Sequence, residues 1–153
     1  MSSNRTTSDL TAHIGYWLRY VSNHVSQGFA RKVETHGVTV AEWVLMRQLL
    51  DYEALAPSRL AERMGMTRGA ISKLADRLIA KSLLVRTADL HDGRAHTLSL
   101  TRAGSSMVPK LAALADANDA EFFDHLAPKE RAALLHILQE IVEKRGLKSL
   151  PVD

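Results

Sequence analysis

The sequence predicts a mainly α-helical protein that carries one small β-hairpin. Apolar residues recur at steps of three and four along most of the 153-residue chain, which is the period of amphipathic helices. Capping residues, glycines and prolines divide that pattern into segments of helical length. One stretch differs: in LHDGRAHTLSLT, residues 90–101, short strand-like runs flank Asp92-Gly93, a favoured hairpin dipeptide. We therefore expect six helices and one two-stranded ribbon.

The first two helices are predicted at about residues 9–34 and 40–51. Gly37 suits the stop between them, because glycine readily adopts the conformation that ends a helix. Thr39 is expected to cap the second helix, and Glu42, three residues later, completes a capping box. The first helix has one apolar stripe, formed by Leu10, Ile14, Trp17, Leu18, Val21, Val25, Phe29 and Val33.

A helix-turn-helix is predicted between Pro57 and about Lys81. Pro57 and Ser58 open a short third helix, which Gly65 closes. Thr67 is a good N-cap for the fourth helix. A short helix, a turn with glycine and a second helix have the spacing of a helix-turn-helix motif.

The hairpin and a long fifth helix come next. Strands are predicted at residues 84–89 and 95–100, and Thr101 is expected to cap a helix that runs to about Phe123. Pro109 lies inside that helical pattern, so it predicts either a kink or the true start of the helix.

A sixth helix is predicted over residues 128–145, with Pro128 at a favoured first position. The preceding cap position holds Ala127, a poor capping residue, so we expect the first turn to fray. Its apolar face consists of Leu134, Leu135, Leu138, Ile141 and Val142.

Composition excludes several classes of protein. The length of the chain suits one domain or a small module with helical extensions. A content of 46% apolar and 24% charged residues is ordinary for a globular protein. No apolar run reaches the roughly 20 residues of a membrane span, and MSSNRTTSDL lacks an apolar signal core. The sequence has no cysteine, which excludes thiol redox chemistry and thiolate zinc sites. We expect a cytoplasmic protein with no cofactor.

Positive charge is concentrated in the middle third of the chain. Residues 57–102 carry 9 Lys/Arg against 4 Asp/Glu, a net charge of +5, whereas the rest carries 11 against 13, a net charge of −2. Such a basic module is typical of proteins that bind a polyanion, although a solvated charged face can have the same composition.

The fourth helix is predicted to have one buried and one polar face. Ile71, Leu74, Ala75 and Leu78 fall on the side that would anchor it. The polar side and its flanks are formed by Thr67, Arg68, Gly69, Ser72, Lys73, Asp76 and Arg77. A helix N-terminus attracts phosphate, and arginine, serine and lysine there suit contacts in the DNA major groove. A plain solvated helix is the alternative.

The hairpin is expected to act as a projecting wing beside that helix. Arg94 at its tip suits the narrow, electronegative minor groove of A·T-rich DNA, and Asp92 is placed to orient the guanidinium. Arg86 on the first strand is a candidate phosphate contact. An ordinary charged β-turn is the alternative.

These segments resemble the MarR family of bacterial transcription regulators. The resemblance is carried by SRLAERMGMTRGAISKLADRLIAKSLLVR, residues 58–86, and by DGRAHTLSLTRAG, residues 92–104, which contains the D-x-R wing pattern. It implies a winged helix-turn-helix lobe at residues 38–100, a helical dimerisation region at residues 1–35 and 101–147, and a tail at 148–153. It further implies an obligate homodimer on a pseudo-palindromic operator, often a repressor released by a small ligand.

Members of that family bind small aromatic acids in a cleft beside the dimer helices. In this chain the first helix offers His13, Trp17, Tyr20 and His24 at steps of three or four, and Arg47 is a candidate carboxylate partner. The alternative is that these aromatic side chains pack in a dimer interface.

Other functions receive less support from the residues. Some members of that family sense zinc, but the seven histidines of this chain are scattered without metal-ligand spacing. They are His13, His24, His36, His91, His96, His125 and His136. The sequence contains no catalytic triad order and no glycine-rich phosphate loop, which argues against an enzyme. Two alternatives remain: a ligand-independent regulator or activator of the same fold, and a winged helix that binds proteins.

Overall fold

The computed structural model describes residues 6–88 and 95–153. Within those residues the chain forms six α-helices and one antiparallel hairpin, which confirms the predicted fold class. In chain order the elements are α1 Ile14–Glu34, α2 Val40–Leu50, α3 Pro57–Met64, α4 Arg68–Ala80, β1 Leu84–Ala88, β2 His96–Leu100, α5 Arg102–Phe123 and α6 Pro128–Arg145. A single 3-10 turn, Leu10–Ala12, precedes α1, so the first helix begins later than predicted.

The hydrophobic core lies among α2, α3, α4, the hairpin and the first half of α5. Each of these elements contributes side chains that are almost wholly buried: Leu45, Met46, Leu49, Leu60, Met64, Ile71, Leu78, Leu98 and Leu111. The helix-turn-helix is therefore anchored on the core through one face of each helix, as the apolar pattern predicts.

The hairpin pairs Leu84 with Leu100 at its base and Ala88 with His96 at its outer described end. Leu55, in the loop before α3, exchanges two backbone hydrogen bonds with Leu98, at 2.9 and 2.7 Å. These bonds fix the hairpin to the lobe along the edge of β2.

The predicted helix ends are confirmed at four places. The capping box at Thr39 and Glu42 is complete, with both bonds between 3.1 and 3.2 Å. Thr67 caps α4, and Thr101 caps α5. Gly65 ends α3 with a φ of 64°, the left-handed conformation that glycine adopts without strain.

The structure bears on two expectations about the later helices. α5 begins at Arg102 and includes Pro109, so the proline does not mark its start. Ala127 makes no side-chain cap bond at the start of α6, as expected of alanine. The Glu130 carboxylate accepts a hydrogen bond from the Ala127 N–H at 2.9 Å, which supplies only the reciprocal half of a capping box.

A compact junction joins α4, the hairpin and α5. Ser82 has a φ of 61°, and its carbonyl oxygen accepts a bond from the Thr101 hydroxyl at 2.7 Å. The Thr101 N–H donates to the Leu83 carbonyl at 3.1 Å. A Cβ at Gly104 would overlap that same carbonyl oxygen, so the first turn of α5 approaches this loop as only glycine allows.

α1 and α5 cross closely at Gly28. An added Cβ there would lie 2.9 Å from Oδ1 of Asn118, which is itself almost fully buried. The Asn118 amide donates to the Val25 carbonyl at 3.0 Å and accepts from Lys32 at 2.9 Å. Both ends of the Asn118 side-chain amide are thus paired at this crossing.

A buried carboxylate ties α2 to the end of α4. Glu42 is fully buried, and both of its carboxylate oxygens accept from the Lys81 ammonium, at 2.9 and 2.8 Å. The Lys81 side chain is 38% exposed, so water still reaches this pair from one side.

We predict that Lys81→Ala lowers the free energy of unfolding by about 1–3 kcal/mol, because the buried Glu42 carboxylate then has no ammonium group to pair with. Urea unfolding measures this. The control is Lys144→Ala, which removes an exposed pair with Glu140 and should cost less than about 0.5 kcal/mol. Equal losses from the two variants would contradict the role of the buried pair.

Candidate nucleic-acid interface

The start of α4 is presented at the protein surface by the turn that precedes it. The Thr67 hydroxyl accepts a hydrogen bond from the Ala70 N–H at 3.1 Å, which fixes the first turn of the helix. Residues Thr67, Arg68 and Gly69 are all exposed. A Cβ added at Gly69 would have only the Thr67 hydroxyl within 4.0 Å, so the space in front of this residue is open.

The two faces of α4 separate as the sequence predicts. Ile71, Leu74, Ala75 and Leu78 are buried against the core. The polar residues of the opposite face are all exposed: Ser72, Lys73, Asp76 and Arg77, which follow Thr67, Arg68 and Gly69 along the helix. The arrangement offers unpaired N-terminal amides, hydroxyls and three basic side chains to one ligand, a combination that suits the phosphates and base edges of a duplex.

Arg86 has a partner that the sequence analysis missed. Its guanidinium donates to the Asp76 carboxylate at 3.0 Å, and the pair joins β1 to α4 across the surface. Both side chains are partly solvated, at 38% for Arg86 and 67% for Asp76. Arg86 therefore helps to set the position of the hairpin beside α4. Opposite charges ten residues apart were the only signal of this pair in the sequence.

The predicted wing tip lies outside the described residues. Asp92 and Arg94 fall in the segment 89–94, so their pairing and their reach toward a minor groove stay predictions. The described strands end at Ala88 and His96, two residues along β1 from Arg86.

The structure brings together most of the aromatic residues predicted on the first helix. Trp17, Tyr20 and His24 stack in a row, with ring centroids 6.4 and 5.4 Å apart. Trp17 and Tyr20 are 52% and 53% exposed, and the Trp17 indole donates to the Thr11 carbonyl at 2.8 Å. His13 lies at the N-cap of α1, with its ring 3.3 Å from the Leu10 carbonyl.

Arg19 is the basic residue beside this aromatic row. It lines a shallow cleft together with Tyr16, Tyr20 and His24. Arg47, the residue predicted for this role, lies on α2 and pairs with Asp51 at 3.1 Å. Arg19 follows Trp17 by two positions, so it does not fit the steps of three and four from which the site was predicted.

Across residues 6–88 and 95–153, no three His, Asp or Glu side chains cluster in a way that would hold a metal ion, and His91 falls outside those residues. In the same part of the chain, the helices are too short or too polar to cross a bilayer.

Comparison with known proteins gives the interface a context. Residues 36–95 match the family model described as MarR family, a range that includes α2, the helix-turn-helix and β1. An uncharacterised HTH-type transcriptional regulator of Bacillus cereus is 29% identical over 143 residues, which cover 90% of this chain and 93% of that protein. The HTH-type transcriptional repressor MdtR of Bacillus subtilis is 27% identical, with 91% and 90% of the two chains covered.

The fold matches solved structures over nearly its full length. A mutant MarR from E. coli, crystallised in complex with operator DNA, superposes with a TM-score of 0.75 at 21% identity, covering 88% of this chain and 99% of that one. The names of the relatives are those of transcriptional regulators and not of enzymes, which confirms the prediction that this chain is not an enzyme.

Proposed function

We propose that the chain, which matches the MarR family model over residues 36–95, is a transcriptional regulator of that family that binds a pseudo-palindromic operator in double-stranded DNA as a homodimer and represses transcription. Such a regulator acts in the cytoplasm, where bacterial chromosomal DNA lies. The observation that carries the proposal is the polar face of α4, exposed from Thr67 to Arg77 while the opposite face is buried.

In this proposal α4 enters the major groove with its N-terminus forward. Arg68 reads a guanine edge or grips a phosphate, and the open space at Gly69 permits close approach of the backbone. Ser72, Lys73 and Arg77 contact the groove further along the helix. Arg94 of the wing reaches the neighbouring minor groove, with Asp92 orienting it. Arg86 adds a phosphate contact while it holds the hairpin through Asp76.

The homodimer is supported by two apolar faces that the protomer leaves uncovered. Ile14, Leu18 and Val21 of α1 are 85%, 50% and 45% exposed. α6 has no buried residue, and its exposed apolar side chains include Leu135, Ile137, Leu138, Ile141 and Val142. Apolar faces of this extent mark interaction surfaces, and a second copy of the chain supplies complementary ones.

Repression as the output is supported by the similarity to MdtR, which is named a repressor. A dimer on an operator that overlaps a promoter blocks transcription by occupying the site. Activation, the alternative output, needs a further contact with the transcription machinery.

We propose that a small aromatic acid releases the DNA and binds beside the aromatic row of α1. Trp17, Tyr20 and His24 supply flat apolar walls, and His13 borders the same end of the helix. Arg19 is the better placed carboxylate partner, because it lines the cleft whereas Arg47 is paired with Asp51.

Gel-shift titrations with operator DNA test the DNA face. Lys73→Gln should weaken binding at fixed salt and lower the slope of log affinity against log salt by about 0.9, the value for one phosphate contact. Arg68→Ala should weaken binding and, if Arg68 reads a base, should reduce the preference for that base by about 1–3 kcal/mol. Arg94→Ala should reduce the preference for A·T-rich flanks of the operator. The charge-matched control Lys129→Gln, at the start of α6, should change neither affinity nor slope. If Arg68→Ala and Lys73→Gln behave like the control, α4 is not the DNA-binding helix.

Sedimentation analysis tests the dimer. Ile141 is 47% exposed in the protomer, and Ile141→Asp should convert the dimer to a monomer at micromolar concentration because it would bury a charge in the interface. Val85 is similarly exposed, at 43%, but lies on the hairpin, so Val85→Asp should leave the mass unchanged. A monomeric wild-type protein would refute the proposal.

Titration with benzoate, used as a simple aromatic carboxylate, tests the effector site. Benzoate should release operator DNA, and Arg19→Ala should raise the concentration required. Arg47→Ala should leave that concentration unchanged, since its guanidinium pairs with Asp51. Release that depends on Arg47 and not on Arg19 would place the site elsewhere.

A further inference from the structure

The segment after α6, residues 147–153, returns to the helix-turn-helix. The Leu150 N–H donates to the Met64 carbonyl at 3.1 Å. The Ser149 hydroxyl donates to the Gly65 carbonyl at 3.3 Å. Both acceptors belong to the end of α3 and the turn before α4. The last carbonyls of a helix have no partner within it, so the segment satisfies groups that α3 leaves open.

Gly65 is shaped to receive this segment. A Cβ at Gly65 would lie 2.7 Å from the Ser149 Cα and 2.8 Å from the Lys148 carbonyl oxygen, distances that real side chains do not adopt. The residue also has a φ of 64°, which by itself favours glycine. Two demands therefore meet at one position: the end of α3 needs the conformation, and the returning segment needs the space.

Apolar contacts hold the segment in place on the far side of the turn. Leu150 and Val152 are half-buried and pack against the hydrophobic core. Pro151 and Asp153 form one wall of a cleft whose other walls include Phe29 of α1 and Trp43 of α2. The segment thus spans from the helix-turn-helix to the two helices that precede it.

The segment attaches α6 to the DNA-binding lobe. α6 buries none of its own residues in the protomer, so its packing does not fix it to the DNA-binding lobe. The Leu150 and Ser149 bonds attach its far end to that lobe. Met64 and Gly65 lie within three residues of Thr67, the N-cap of α4.

We propose that residues 147–153 are a tether that positions the N-terminus of α4 for specific DNA binding by linking the turn before it to α6. The inference rests on the proposed function, because it assumes that α4 binds the operator. The tether contacts no DNA itself. It restricts the motion of the turn, so its loss lowers affinity for the operator and leaves non-specific attraction, which arises from basic side chains, unchanged.

Leu150→Asp tests the tether in the full-length protein. It should detach the segment, because a carboxylate would replace a half-buried apolar side chain. Two quantities are measured at fixed salt: exchange of the residue 150 amide, and the ratio of affinities for operator and random DNA. We expect fast exchange and about fivefold weaker operator binding, the equivalent of one ordinary hydrogen bond, with affinity for random DNA unchanged. Lys148→Ala, which alters an exposed side chain in the same segment, should change neither quantity.

The outcomes separate failure of the tether from failure of the proposed function. If Arg68→Ala lowers operator affinity and Leu150→Asp, with its amide in fast exchange, does not, the tether is refuted and the function stands. Rapid exchange of the Leu150 amide in the wild-type protein also refutes the tether. If neither Arg68→Ala nor Lys73→Gln affects DNA binding, the function itself fails.

A pair of glycines provides an independent check of the contact. Gly65 and Gly146 have φ values of 64° and 61°, but a Cβ at Gly146 would meet nothing within 4 Å. Gly146→Ala therefore measures backbone strain alone, and Gly65→Ala should lower Tm further. That excess should shrink in the Leu150→Asp background, where the segment has moved away. An undiminished excess would overturn the contact.

Discussion

The structure depends on how the far end of α4 is joined to α5. Ser82 in a left-handed conformation, the two bonds that Thr101 donates to residues 82 and 83, and the absence of a side chain at Gly104 force the hairpin to start and finish at one place. α4 and the long helix α5 consequently leave the same small loop. Since α5 also crosses α1 at Gly28, α4 is joined to α1 and α5 through packed atoms and not through a free linker.

Polar groups inside the lobe reinforce this arrangement. Glu42 serves two elements at once: its carboxylate completes the capping box of α2 and holds Lys81 at the end of α4. A charged group is costly to bury, and this one is matched by an ammonium and a backbone N–H. The same logic applies to Asn118, which is buried between α1 and α5 with both ends of its amide paired. These contacts join α2 to the end of α4 and α1 to α5 through paired polar groups.

Local chemistry made much of the fold predictable from the sequence. Thr39, Thr67 and Thr101 cap helices through bonds to residues three positions away, so their signal lies within one turn of chain. Contacts between residues that are far apart in the chain were missed. Lys32 meets Asn118 86 positions along the chain, and Ser149 meets Gly65 84 positions back. Periodicity identifies which face of a helix is apolar, but it does not say which polar residues will meet across the fold. For that reason the sequence suggested Arg47 as a carboxylate partner and did not suggest Arg19, which lines the cleft beside Tyr20 and His24.

The ion pair between Asp76 and Arg86 bears on how such a protein searches a chromosome. A guanidinium that already has a carboxylate partner exchanges one anion for another when it meets a phosphate, so its net gain is small. The paired guanidinium keeps the hairpin in place and adds little to the affinity for non-specific DNA. Under the proposed function we therefore expect shorter residence at wrong sites and a larger share of the binding energy in groups that distinguish one base pair from the next.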